Sequence, residues 1–203
     1  MVRTIREHKR IIFNGNNYSD EWREEAARRG LLSLNSTVDA LPCYTAEKNV
    51  RMFETHRVLS AVELRSRRDI GLDSYAKIIN IEAETMLMMT RRQILPAVLR
   101  YAGTVASSVN QVRAAGGELS CAPGTLSDLC RESDLLSGAA DDLESALAAR
   151  PSDDSAEVFA RYMHDNILPL MSDVRTHADN LERITDKTYW PFPTYDELLF
   201  SVQ

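Results

Sequence analysis

Residues 60–115 read SAVELRSRRDIGLDSYAKIINIEAETMLMMTRRQILPAVLRYAGTVASSVNQVRAA, and the periodicity of this stretch decides the fold. Ser60-Ala61-Val62-Glu63 is a capping box, in which hydroxyl and carboxylate reciprocally satisfy the free backbone donors of a helix start. Beyond it, Leu64, Ile70, Tyr75, Ile78, Ile81, Met88, Leu95, Val98, Leu99, Ala102 and Val109 recur largely at spacings of three, four or seven, which predicts one buried helical face. An unbroken helix to Ala115 would be roughly 80 Å long at about 1.5 Å per residue, a length that needs neighbours to pack against. Gly71 and Pro96 are its weak points. The pattern resumes behind Pro96, so the proline is expected to kink the helix and not to end it.

Working outward towards the C-terminus, Gly116-Gly117 and Cys121-Ala122-Pro123-Gly124 break the pattern, and a second helix is expected from about Thr125 to Arg150. Pro151-Ser152-Asp153-Asp154 forms the next break. A third helix then carries Val158, Tyr162, Ile167, Leu168, Leu170, Val174, Leu181 and Ile184. Short breaks between long amphipathic helices make antiparallel neighbours. The expected fold is therefore mainly α, a long antiparallel helical bundle over residues 60–185 with a kinked long helix. Ile94-Leu95-Pro96 recurs as Ile167-Leu168-Pro169, which places matched kinks on the first and third helices.

Upstream, His8-Lys9-Arg10-Ile11-Ile12-Phe13 reads as the middle of a fold. Ile11 to Phe13 form a short β-branched and aromatic run suited to a buried strand or the last turn of a helix, with its packing partner expected to lie further upstream. Asn14-Gly15 then turns the chain with a pair suited to positive φ. Ser19 is placed to cap a helix whose first turn holds Asp20 and Glu21, and Gly30 is placed to close it. Thr45 is expected to cap the following helix, which ends in a turn over Arg57 to Leu59.

Composition narrows the function classes. Hydrophobic residues make up 44% of the 203 and charged residues 27%, and no apolar run is long enough to span a bilayer, which favours a soluble protein of one or two domains. The opening hexapeptide is too polar for a signal peptide, so the cytoplasm is the expected location. A net charge of −6 argues against a general nucleic-acid binder, because phosphate contacts require a basic surface. Cys43, Cys121 and Cys130 form an odd set without CxxC spacing, unlike a disulfide framework or a structural zinc site, and read as buried small hydrophobes.

Little in the bundle points to chemistry. A dinuclear carboxylate site needs paired Glu-x-x-His elements, and the sequence contains none. Asp173 and His177 are four apart and could share a metal, although an exposed i,i+4 pair accounts for them more simply. His164 beside Asp165 adds no more. Met86, Met88 and Met89 at helical spacing read as gap-filling core. The Asn14–Asn17 turn lacks the lysine and second glycine of a phosphate loop. Asp141, Asp142, Glu144, Asp153 and Asp154 read as a solvated surface. No catalytic, metal or cofactor-binding residue is assigned. The closing segment over residues 186–203 is different, since Trp190, Phe192, Tyr195, Leu199 and Phe200 stand on a stretch stiffened by two prolines. They form either a strap packed on its own domain or an interface with another subunit.

Several of these motifs together carry a family likeness. HKRIIFNGNNYSDEW, the AARRGLLSLNSTVDALP behind it, SYAKIINIEAETM, ILPAVLRY and the closing YWPFPTYDELLFSV resemble the carboxyl-terminal part of type III glutamine synthetase. The resemblance covers nearly the whole chain, with residues from about 104 to 160 matching in helical character alone. It implies a parent reaction of nitrogen metabolism, the ATP-dependent ligation of ammonia to glutamate with magnesium or manganese, in a ring-shaped homo-oligomer. It also implies an organisation in which residues 1–59 are the last strip of a catalytic domain, residues 60–185 a helical extension and residues 186–203 a strap. The family's catalytic, metal and nucleotide residues lie upstream of the matching region. None is transferred here, and His8, Lys9 and Arg10 read as structural. The implied role is a non-catalytic C-terminal part that serves structure or assembly with the parent catalytic domain and other subunits. The alternative is a free-standing helical interaction or regulatory module.

Overall fold

The computed structural model describes residues 2–151 and 155–200, apart from the side chains of Val2, Tyr195 and Asp196. Ser152, Asp153 and Asp154 of the expected break, and Ser201 and Val202 of the closing motif, lie outside the described residues. The fold is mainly α, with no strand among the described residues. Two compact units divide after Arg68.

The first unit holds α1 (Val2–Glu7), a 3-10 turn at Lys9–Ile11, α2 (Asp20–Arg28), α3 (Thr37–Ala40), a second 3-10 turn at Leu41–Thr45, α4 (Glu47–Thr55) and the first turns of α5 (Ala61–Met89). The Ile-Ile-Phe run forms no strand; Ile11 closes the 3-10 turn at Lys9–Ile11 and Ile12 follows it in extended backbone, so its start is a helix end. The Arg29 guanidinium donates to the carbonyls of Arg10 at 3.1 Å and Ile12 at 2.7 Å, which occupies acceptors that a neighbouring strand would need. Phe13 packs its ring 4.6 Å from that of Trp22, and Arg29 also lies over the indole. Ile11 and Ile12 stay exposed. Gly15 does not take the positive φ that its place in the turn predicts. A Cβ there would stand 2.6 Å from the Phe13 ring, so a side chain at this position would have to displace that ring.

Caps set the helix limits in this unit largely as the sequence predicts. Ser19 accepts the Trp22 N–H at 3.4 Å, and Gly30, at φ +65°, ends α2 while Leu31 donates back to the Ala26 carbonyl. Ser60 accepts from the Glu63 N–H at 3.3 Å, and the Glu63 carboxylate accepts the Ser60 N–H at 2.7 Å. Thr45 is the exception. Its hydroxyl donates to the Pro42 carbonyl at 3.0 Å, and Ala46 precedes α4 without a side-chain cap. At the other end of α4, Arg57 takes the left-handed φ of +51° that glycine ordinarily supplies.

The second unit continues along α5 into a π turn at Thr90–Ile94 and then α6 (Leu95–Ala114), followed by α7 (Ala122–Ala148), α8 (Ala156–Tyr162), a second π turn at Met163–Ile167, α9 (Leu168–Ile184) and α10 (Tyr195–Phe200). α7 packs against both α6 and α9. Its buried residues Leu129, Ser133, Leu136, Ala140, Leu143 and Leu147 step by four and three throughout, the spacing of a straight interhelical seam. Gly116, at φ +80°, ends α6 as expected. α7 begins at Ala122, ahead of the expected Thr125, because Pro123 falls in its first turn, where a missing N–H leaves no bond unmade.

Both Ile-Leu-Pro elements produce the same local structure. A proline inside a helix cannot donate to the carbonyl four residues back and its ring crowds that carbonyl. Here the residue before each proline reaches one residue further. The Leu95 N–H bonds to the Thr90 carbonyl and the Leu168 N–H to that of Met163. The expected kinks are thus wide turns that let both helices continue.

The buried face of the first long helix matches the expected one only in part: Leu64 and Val98 are buried, and Tyr75, Leu95, Ala102 and Val109 are half-buried. Ile70, Ile78, Ile81, Met88 and Leu99 are exposed, Ile70 and Ile81 at 63%. The buried line runs through Leu72, Ala76, Ile79, Ala83, Thr90, Ile94 and Ala97. Ala76, Ala83 and Ala97 share this line with Leu72, Ile79 and Ile94. The cysteines also depart from expectation: Cys121 and Cys130 are exposed and Cys43 is half-buried, since Cys121 precedes α7 and Cys130 stands outside the α7 seam.

Truncating the seam and the outer face distinguishes the two assignments. Leu136→Ala is expected to cost about 2–5 kcal/mol in urea unfolding of the whole chain, whereas Ile78→Ala stays within about 0.5 kcal/mol of the parent. Arg57→Gly is expected to raise stability by about 1 kcal/mol in the same measurement, because it relieves a left-handed backbone at a side-chain-bearing residue.

Candidate functional site

The candidate site lies in the second unit, where α5 and its π turn form one wall of a groove, α9 the other, and the segment after α9 closes over it. The groove has a volume of about 530 Å³, within the range of small-molecule sites. Met86, Met89 and Ile94 line one wall and Met171, Val174 and Ala178 the other, with Trp190 and Phe192 completing the lining. Methionine thioethers beside aromatic rings make an adaptable, polarisable surface.

Local chemistry positions the closing segment. Asp186 accepts the Thr188 N–H at 2.8 Å, and the Asp186 carbonyl accepts the Tyr189 N–H at 2.9 Å, which turns the chain after α9. Tyr189 then lays its ring 5.3 Å from that of Tyr101 and shares a 2.8 Å hydrogen bond with the Thr104 hydroxyl of α6. Trp190 and Phe192 meet edge to face at 6.1 Å, with Pro191 restricting the backbone between them. Thr194 and Glu197 form a second capping box, at 2.9 Å and 3.4 Å, that starts α10. The sequence-derived set therefore divides. Trp190 and Phe192 come together half-buried at the groove, while Leu199 and Phe200 are exposed on α10 at 72% and 76%. The side chain of Tyr195 lies outside the described residues.

One polar group in the groove lacks a partner. Thr104, Ser108, Ser133 and Thr176 each donate a helical hydroxyl to the carbonyl four residues back, at 2.7–3.1 Å. Thr90 is 1% exposed, lines the groove, and its Oγ1 has no hydrogen-bond partner in the protein. A buried hydroxyl in that state costs about 1–3 kcal/mol. Sequence reasoning passes over Thr90 because it is polar. The signal that finds it is position, seven residues after Ala83 and four before Ile94 on the buried line.

The rim is acidic. Arg175 pairs with Asp179 at 2.7 Å, whereas Glu82 and Glu182, both exposed and both lining the groove, have no ion-pair partner among the described residues. Other charges proposed as plain surface are engaged elsewhere. Arg91 of the first π turn donates to Asp141 at 2.8 Å and Glu144 at 2.5 Å, which ties that turn to α7.

His177 does not form the expected exposed pair with Asp173. It is half-buried, with Nδ1 3.1 Å from Glu132 Oε2 of α7, and Asn180 donates to the same oxygen at 3.3 Å. The packing of α9 on α7 selects this partner, because His177 and Glu132 each stand next to a seam residue, Ala178 and Ser133. The His177 hydrogen bond, assisted by Asn180 and Arg131, holds the Glu132 carboxyl below the usual carboxylate range against the opposing effect of desolvation. His164 contacts Asp165 at 2.7 Å. Among the described residues, no group of three or more His, Cys, Asp and Glu side chains is placed to hold a metal. Met86 and Met89 are half-buried in the groove wall and Met88 is exposed, so the methionine cluster is only partly core. His8, Lys9 and Arg10 are exposed around the first 3-10 turn.

Comparison with known proteins gives consistent results. The family model described as the glutamine synthetase C-terminal domain matches residues 1–113. A type-3 glutamine synthetase from Dictyostelium discoideum is 33% identical over 97% of this chain and 28% of its own length. A glutamine synthetase from Butyrivibrio fibrisolvens is 33% identical over 98% of this chain and 29% of its own. One from Bacteroides fragilis (strain YCH46) is 27% identical over 94% and 27%. The chain thus spans less than a third of the length of these relatives.

The Glu132 environment fixes the sign of one pH effect. A carboxyl whose folded pKa is lowered adds stability above the ordinary carboxylate range and loses it as pH falls through the lowered folded value. His177→Ala is therefore expected to reduce stability at neutral pH and to flatten the loss of stability between about pH 5 and 3, read by urea unfolding across a pH series.

Proposed function

The chain belongs to the glutamine synthetase C-terminal domain family, and from that premise we propose that it is the C-terminal part of a type III glutamine synthetase, non-catalytic by itself and serving structure and assembly. The observation that carries this reading is the match along 97% of the chain to 28% of a type-3 enzyme. The parent reaction is the ATP-dependent joining of ammonia to glutamate, with magnesium or manganese held by residues of a catalytic domain outside this chain. Its partners are that domain and the other subunits of a ring-shaped homo-oligomer in the cytoplasm. No described helix is long and apolar enough to cross a membrane.

Exposed apolar side chains support an assembly role. Ile5, Ile11, Ile12, Leu32, Val58 and Val62 are all exposed in the first unit, and Leu198, Leu199 and Phe200 in α10. Exposed apolar side chains of this kind are suited to burial against protein partners. Residues 1–59 would then join the catalytic domain, residues 60–185 extend from it, and residues 186–203 act as the strap.

Two measurements test the proposal. The purified chain with glutamate, ammonium, ATP and magnesium is expected to form no glutamine, and turnover would overturn the non-catalytic reading. The separately produced upstream domain of a type III enzyme is expected to co-elute with the chain in size-exclusion chromatography. Failure of the two to associate would favour a free-standing interaction module instead.

A further inference from the structure

α5 is apolar on two opposite faces. Leu72, Ala76, Ile79 and Ala83 are buried, while Ile78, Ile81 and Met88 stand exposed at 55%, 63% and 41% on the other side. At about 100° per residue the exposed side forms one line through Gly71, Ser74, Ile78, Ile81, Thr85 and Met88, with spacings of three and four throughout. That is the seam pattern of a two-helix coil, and it ends where the π turn at Thr90–Ile94 shifts the register. A helix with apolar lines on opposite faces is suited to packing on both sides. The bundle occupies one of them.

The order of the exposed line points to what covers it. Ile78 and Ile81 stand at its centre, a small hydroxyl residue flanks each of them, and the ends carry Gly71 and Met88. We propose that a second copy of this chain docks here, its α5 antiparallel to the first about a two-fold axis level with Ile79 and Asn80. Ile78 then faces Ile81 of the second copy, Ser74 faces its Thr85, and Gly71 leaves room for its Met88. On one flank Lys77 faces Glu84 of the second copy, and on the other Glu82 faces its Tyr75, so no like charges meet. Lys77 and Glu84 bond in their own chain to Asp73 at 2.7 Å and Asn80 at 3.0 Å, at exposed positions from which each can bridge across the seam. Parallel pairing would set Gly71 against Gly71 and Met88 against Met88, a gap at one end and crowding at the other. The proposal rests on the assembly reading above and names a surface for it. Gly, Ser or Thr in most layers makes the pairing weak, so it belongs to high protein concentration.

The test uses the whole chain at high concentration, carrying Cys43→Ala, Cys121→Ser and Cys130→Ser so that introduced thiols stand alone. Ser74→Cys and Thr85→Cys are made separately, mixed and treated with a short bis-maleimide. A cross-linked pair is expected in the mixture, joined between positions 74 and 85 by peptide mapping. None is expected from either variant alone, because antiparallel helices hold each position about 16 Å along the axis from its own counterpart. Sedimentation equilibrium of the unaltered chain is expected to give the mass of two chains, and Ile78→Glu/Ile81→Glu to return it to one with its helical circular dichroism unchanged. Both isoleucines are exposed, so the fold does not depend on them. Cross-linking of Ser74→Cys to itself, no cross-link in the mixture, a monomer at every concentration, or a dimer indifferent to Ile78→Glu/Ile81→Glu would overturn the proposal. Neither readout involves the upstream domain, so failure here is separate from failure to co-elute with it.

Discussion

The bundle depends on one seam. α7 presents leucines at 129, 136, 143 and 147 with Ser133 and Ala140 between them, and it stands between α6 and α9. Burial of apolar area along such a line is the main favourable contribution to folding. Ser133 satisfies its hydroxyl on the Leu129 carbonyl, so the one polar member of the α7 seam carries no unpaired donor. Alanines also stand in the neighbouring buried lines, Ala76, Ala83 and Ala97 in one and Ala160 and Ala178 in the other.

Two prolines would interrupt these seams if their helices stayed strictly α. The π turns resolve the conflict by moving the preceding leucine N–H to the carbonyl five residues back. Buried positions therefore continue on either side, through Thr90, Ile94 and Ala97 and through Met163, Ile167 and Met171. Thr90, at the start of the first π turn, has no acceptor for its hydroxyl, unlike Thr104 and Thr176. Tyr189, fixed on Tyr101 and Thr104, brings the following Trp190 and Phe192 to the same groove.

Much of this architecture is legible in residue order. The capping boxes, the glycine terminators and the matched Ile-Leu-Pro elements act over three to five residues, so their consequences can be read locally. The groove is less legible. Trp190 and Phe192 stand out as large aromatics on a proline-stiffened segment, whereas Thr90, Glu82 and Glu182 gain meaning only from what faces them. The His177–Glu132 pair is hidden for the same reason, because 45 residues separate its members along the chain.

The sequence by itself determined that the chain is mainly helical, where its principal helices start and stop, that the two prolines do not break them, and which family it belongs to. These follow from backbone hydrogen bonding and from motif order, and both are local properties. Only the tertiary structure decided which face of the first long helix is buried. Ile79 and Ile94 are buried while Ile70, Ile78 and Ile81 are exposed, so hydrophobicity alone does not rank the faces. The same packing placed Ile78 and Ile81 outside, His177 beside Glu132, and Thr90 at the groove, because partner and volume are settled by what lies across the contact.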